Sequence, residues 1–114
     1  IRVADFYFNN LKSVNNIILP VREDWAKQVY HLFVIRTKTR DELQKYLKNI
    51  EISCGVHYPI SLPKLKAYSY NLQSHEKFFA NSSDSELLSL PIGEHLNDQD
   101  VFMVCNGIKA YFEK

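Results

Sequence analysis

Glycine, proline and cysteine are scarce in this 114-residue chain, at three, four and two residues. Gly55, Gly93 and Gly107 stand far apart, so no glycine-rich loop is available to wrap a phosphate in backbone N–H groups. So little glycine and proline, beside a 46% apolar share with seven Phe and seven Tyr, argues against a disordered chain and supplies a real core. Cys54 and Cys105 form no Cys-x-x-Cys unit. They fit isolated buried thiols in a reducing compartment rather than a disulfide framework, so the expected localisation is cytoplasmic. An excess of charge is missing too. Fourteen Lys and Arg against thirteen Asp and Glu leave a net charge of +1, which offers no broad basic face and argues against a nucleic-acid partner. No apolar run approaches the ~20 residues that span a bilayer, and no basic flank with an apolar stretch opens the chain. Neither membrane insertion nor secretion is therefore expected.

The length suits a single domain of roughly 100 to 150 residues. The chain opens on Ile1 inside a helical pattern and without an initiator Met, so the protein is expected to continue upstream. Val3, Phe6, Tyr7 and Leu11 recur at helical spacing over residues 1–11. Residues 17–19 read as a short strand and residues 20–27 as a polar connection around Trp25. Residues 29–36 are almost continuously apolar and β-branched or aromatic, the pattern of a strand covered on both faces.

Thr39 and Glu42 have capping-box spacing ahead of a helix with Leu43, Tyr46, Leu47 and Ile50 on one face. Ile50, Ile52, Cys54 and Val56 then alternate with polar residues and glycine, which predicts a strand. Pro59 and Pro63 stiffen the loop after it. Ser74 is placed to cap a helix through about Ser85, anchored by Phe78 and Phe79. Leu88, Leu90 and Ile92 alternate as a last short strand. Asn97 caps a final helix whose apolar face is Val101, Val104, Cys105, Ile108 and Phe112, with Asp98 and Asp100 at its positive end. This order predicts an α/β (α+β) fold, a two-layer sandwich of helices on a small, mainly antiparallel or mixed sheet of roughly three to four strands.

Few constellations carry chemistry. Cys54 and His57 have the gap of a metal-ligand pair, but no second pair completes tetrahedral coordination, and no acid is placed to orient them as nucleophile and base. No metal site and no catalytic residue is expected. His31, within the apolar run, reads as a hydrogen-bonded core or interface histidine. His75 and His95 carry no signal. His57-Tyr58-Pro59 is the most informative segment, because proline holds an imidazole and a phenol at a strand exit, where a packed turn and a ligand contact are both physically reasonable. Lys64 and Lys66 beyond it add positive charge.

One set of segments runs in a single order: Arg2, Ala4, Tyr7 and Leu11; residues 29–36; Arg40-Asp41-Glu42-Leu43 with Tyr46-Leu47; Gly55-Val56-His57-Tyr58-Pro59-Ile60; Ala67-Tyr68; residues 86–92; and Asn97-Asp98. Together they resemble the C-terminal small domain of the DegT/DnrJ/StrS sugar-nucleotide aminotransferases, fold-type I enzymes that use pyridoxal phosphate. The resemblance implies a homodimeric parent that transfers an amino group, usually from glutamate, to a keto sugar on a nucleotide diphosphate. It also implies that the Schiff-base lysine and the cofactor site belong to a large N-terminal domain outside this chain, so the fragment alone would bind no cofactor and be inactive. This domain would close one wall of the substrate cleft, with His57, Tyr58, Tyr68 and Lys64 as candidate substrate contacts. Many members continue the motif with Pro-Leu-His-Leu-Gln-Pro, where this chain has Ser61-Leu62-Pro63-Lys64-Leu65-Lys66, so a second histidine and a glutamine are missing. Apart from the resemblance, the residues also fit a free-standing small-ligand or protein-binding α/β module, or a remnant that serves only dimerisation.

Overall fold

The computed structural model describes residues 1–71 and 77–113. Helix α1, Arg2–Leu11, forms because Val3, Ala4, Tyr7 and Leu11 fall on one stripe, and all four are buried. Strand β1, Phe33–Arg36, pairs antiparallel with strand β2, Leu87–Leu90, so that Phe33 lies opposite Leu90 and Ile35 opposite Leu88. Alternation sends these four side chains to one face of the sheet, where they join α1 residues and Val101, Val104, Cys105 and Ile108 in a single core. Helix α2, Arg40–Asn49, adds Leu43 and Leu47, and helix α4, Asp98–Phe112, packs against both α1 and α2. The remaining helix, α3, is the short Phe79–Ser83.

Tyr7 shows how the core admits a polar atom. Its ring lies 4.9 Å from that of Phe33, and its hydroxyl donates to the Pro91 carbonyl at 2.6 Å. Burial pushes the phenol pKa well up, so Tyr7 stays a hydrogen-bond donor. Gly107 in α4 allows a close approach: a Cβ there would sit 2.9 Å from Ile50 Cδ1 and 3.1 Å from Leu47 Cδ2, so α2 comes nearer than a larger residue would permit. The expected Asn97 cap is present, with Asn97 Oδ1 accepting from Asp100 N at 2.9 Å and Asp100 Oδ2 accepting from Asn97 N at 3.0 Å.

The architecture is a small α/β fold, but its sheet has two strands rather than three or four among the described residues. The other expected strands shrink to single-residue bridges at the two edges, Ile18 with Arg36 and Gly55 with Ser89. Residues 29–36 make a strand only from Phe33 onward. Tyr30 takes the left-handed φ of 55°, which breaks extended pairing, and its hydroxyl accepts from Arg22 Nε at 2.7 Å. Val29 is consequently 75% exposed, and His31 is an exposed residue in a bend rather than a core histidine.

Residues 50–56 are diverted by the end of α2. Glu51 N donates to Lys48 O and Ile52 N to Leu47 O, a Schellman closure with Glu51 at φ 64°, so Ile50 and Glu51 finish a helix and Ile50 is left exposed. The capping box expected at Thr39 does not form. Thr39 makes no side-chain cap bond, and its N–H instead faces the Thr37 hydroxyl at 3.4 Å. The proposed start at Ser74 lies outside the described residues. Phe78 and Phe79 do not anchor α3 in the core, since both are exposed. Among the described residues, no helix is long and apolar enough to cross a membrane.

Candidate functional site

The second face of the sheet carries Val34, Arg36, Leu87 and Ser89, and the loop that begins at Gly55 meets it at Ser89. Gly55 and Ser89 exchange both backbone hydrogen bonds, at 3.0 and 2.8 Å, which fixes the loop to β2. Two residues on, His57 Nδ1 lies 2.9 Å from the Ser89 hydroxyl, and the His57 and Tyr58 rings meet edge to face at 5.9 Å. The peptide joining them is cis. The Tyr58 side chain is left 76% exposed.

A second set of bonds holds the loop to the end of α3. The buried Asp84 carboxylate accepts from Ser61 N at 2.9 Å and from Lys64 Nζ at 3.0 Å through both oxygens. Lys64 also donates to the Asn81 carbonyl, and Ser61 Oγ to Asn81 Oδ1 at 2.6 Å. Burial alone would raise the Asp84 pKa, but the Ser61 N–H and the Lys64 ammonium outweigh it and hold the carboxyl below its usual value. Between loop and helix runs an open apolar groove of about 650 Å³, lined in part by Tyr58, Ile60, Leu62, Phe79 and Leu87. The Arg36 guanidinium lies 4.6 Å from the Phe79 ring centroid and is held by Glu86 at 2.8 Å.

The structure therefore brings three of the four candidate contacts to one loop. His57 and Tyr58 are adjacent and exposed, and Lys64 sits a turn further along with its ammonium on Asp84. Tyr68 belongs to the 3-10 helix Lys66–Asn71, is 41% exposed and does not line the groove. Burial pushes the Cys54 thiol up to about 11, so at neutral pH it is protonated and a poor nucleophile. Cys105, in the core, is also pushed up to about 11 by burial, partly opposed by Lys109. Among the described residues no three His, Cys, Asp or Glu side chains gather to hold a metal ion. Asp100 caps α4 and Asp98 pairs with Arg2, so both acids have structural partners.

The sequence did not point to Ser89 or Asp84, the two groups that hold this loop. Ser89 had a signal, since a polar residue between two core leucines in a strand must face the opposite side of the sheet. Asp84 had none, being one polar residue in a run of Asn and Ser.

Comparison with known proteins shows the family of the chain. The model of the DegT/DnrJ/EryC1/StrS aminotransferase family matches residues 1–109. The chain is 37% identical over 109 residues to the erythromycin biosynthesis sensory transduction protein EryC1 of Saccharopolyspora erythraea, covering 95% of this chain and 30% of that protein. It is 35% identical over 109 residues to the dTDP-3-amino-3,6-dideoxy-alpha-D-galactopyranose transaminase of Aneurinibacillus thermoaerophilus, covering 96% of this chain and 30% of that one. The crystal structure of S. venezuelae DesV in complex with a ketimine intermediate superposes with a TM-score of 0.92 at 31% identity, over 99% of this chain and 31% of the other. The chain thus spans about 30% of the length of the curated relatives it matches. It belongs to the DegT/DnrJ/EryC1/StrS aminotransferase family.

Proposed function

We propose that this chain is the C-terminal domain of a pyridoxal-phosphate-dependent aminotransferase that moves an amino group, with glutamate as donor, onto a keto sugar carried by a nucleotide diphosphate. In this reading the domain closes one wall of the sugar-nucleotide cleft in a homodimeric parent. The observation that carries it is coverage: the family match runs over residues 1–109, while the chain spans only about 30% of relatives named as sugar transaminases.

The chain's own described residues do not fit the cofactor. Its glycines are isolated, its buried polar residues include no lysine, and the buried carboxylate, Asp84, is already neutralised by Lys64 and Ser61. Pyridoxal phosphate would be held by the rest of the parent, and no step through it is assigned to this chain. What the chain contributes is binding and orientation. His57 and Tyr58 present an imidazole and a phenol to sugar or phosphate oxygens, and Tyr68 is a further contact once the parent is assembled. Lys64 acts on the same wall through Asp84, by holding the loop that carries Tyr58.

The test is steady-state kinetics on the complete parent enzyme. His57→Ala and Tyr58→Phe should each raise KM for the sugar nucleotide by about threefold to tenfold, the worth of one hydrogen bond. Unchanged kinetics in both variants would remove them from the site. The 114-residue chain incubated with pyridoxal phosphate, glutamate and a keto-sugar nucleotide is expected to give no amino sugar. Product there would mean that the catalytic groups lie within this chain.

A further inference from the structure

We propose that Ser89 is a positioning residue that holds His57 in the Nε2–H tautomer, making it a hydrogen-bond donor to an oxygen of the ligand rather than a base. Ser89 is 4% exposed, and among the described residues its hydroxyl has one partner, His57 Nδ1 at 2.9 Å. A hydroxyl carries one proton, so in its single bond to Nδ1 it either donates or accepts. If Nδ1 bore the proton, the serine oxygen would accept it, and its own O–H would be left buried without an acceptor. A buried donor without a partner is disfavoured by roughly tenfold or more, so the hydroxyl donates and Nδ1 accepts. Neutral imidazole carries one N–H, which is then on Nε2.

That nitrogen has no partner among the described residues and belongs to an exposed side chain. When His57 is protonated, the hydroxyl rotates and accepts from Nδ1–H, and Nε2–H remains a donor. A carboxylate in place of Ser89 would do the reverse, fixing Nδ1–H and leaving Nε2 as an acceptor for a proton. A serine at this position therefore specifies an oxygen acceptor, such as a sugar hydroxyl or a phosphate oxygen, as the group His57 meets.

Gly55 completes the arrangement. A Cβ at Gly55 would lie 2.5 Å from His57 Cε1 and 3.2 Å from Nδ1, so the imidazole rests over a position where only hydrogen fits. Gly55→Ala is expected to displace the ring from Ser89 without removing the hydroxyl.

This proposal deepens the reading of His57 as a substrate contact and rests on it for the identity of the ligand. The experiment separates the two. In the full chain labelled with 15N-histidine, with the His57 signals identified by their loss in His57→Gln, long-range 1H–15N spectra on the neutral imidazole report the tautomer without any ligand. The expected result is Nε2–H in wild type, mixed tautomers in Ser89→Ala and Gly55→Ala, and return of the wild-type signature in Ser89→Thr. A majority Nδ1–H form in wild type, or a Ser89→Ala spectrum unchanged from wild type, overturns the proposal. In the complete parent, Ser89→Ala should raise KM for the sugar nucleotide by about threefold to tenfold with kcat held within about twofold, and Ser89→Thr should restore it. The expected spectra with an unchanged KM would support the tautomer assignment and overturn the substrate contact.

Discussion

The two faces of one small sheet have been put to opposite uses. On one, Phe33, Ile35, Leu88 and Leu90 are sealed under helices in a core that admits few polar atoms. On the other, which carries the alternate residues Val34, Arg36, Leu87 and Ser89, the Ser89 hydroxyl meets His57, the Arg36 guanidinium lies over the Phe79 ring and Leu87 lines an open groove. The same eight residues thus divide between a closed core and an open surface by the period-two alternation of the strand. The first face resists change because its contacts are apolar and collective. The second depends on a few directional bonds, each of which can be removed alone.

The sharpest way to break this comparison is to truncate matched side chains on the two faces. Phe33→Ala removes a fully buried ring that touches Tyr7 and Phe8, and should cost about 3–5 kcal/mol in denaturant unfolding. Leu87→Ala on the groove side removes a half-buried side chain and should cost well under half as much, since solvent already reaches it. Equal losses would show that the groove is covered in solution and that the two faces are equally core.

A smaller effect is expected from Asp84→Ala, which strands the buried Ser61 N–H and takes the carboxylate partner from the Lys64 ammonium. The loss should be about 1–3 kcal/mol. The pH dependence carries the sign. The Asp84 carboxyl is held below its unfolded value, so the native state binds its proton less readily than the unfolded chain does. The stabilisation it provides is complete above the unfolded pKa, near 4, and disappears as pH falls through the lower folded value. Wild type should therefore lose stability on acidification more steeply than Asp84→Ala. Parallel acid limbs for the two proteins would mean that Asp84 is not the ionised anchor of the loop.

Helices α1, α2 and α4 and the core they bury were legible in the sequence because their signals are local. The stripe Val3, Tyr7, Leu11 and the Asn97 cap need no partner to be recognised, and the ordered set of segments that includes His57 and Tyr58 carried the resemblance to the family. The strands were overestimated because a run of apolar residues does not say where its hydrogen bonds go. Val29 to Leu32 read as buried strand, yet Tyr30 turns left-handed toward Arg22 and leaves Val29 in solvent. The second face was mostly invisible, because it is assembled from residues 23 and 32 positions apart, Ser61 with Asp84 and His57 with Ser89. Single-sequence periodicity cannot pair such residues. Lys64 was legible as a charge and not as a partner, since its ammonium is directed at Asp84 by the turn that precedes it.

The smallest expected effect lies where the chain leaves the covered face for the open one. Glu51 closes α2 at φ 64°, in a left-handed conformation that a residue with a Cβ adopts at a cost of about 1 kcal/mol and glycine adopts freely. Glu51→Gly removes that strain, and the closing bonds survive because they run from backbone N–H groups to Lys48 O and Leu47 O. Against this stands the greater freedom that glycine gives the unfolded chain, about 0.4–1 kcal/mol. The expected net result is a gain of a few tenths of a kcal/mol, read as a small rise in unfolding midpoint at unchanged denaturant slope. If the faces are energetically separate, the His57 tautomer signature should not move. A shifted His57 spectrum in Glu51→Gly would show instead that the end of α2 sets the position of the loop four residues on, and that the covered face tunes the open one.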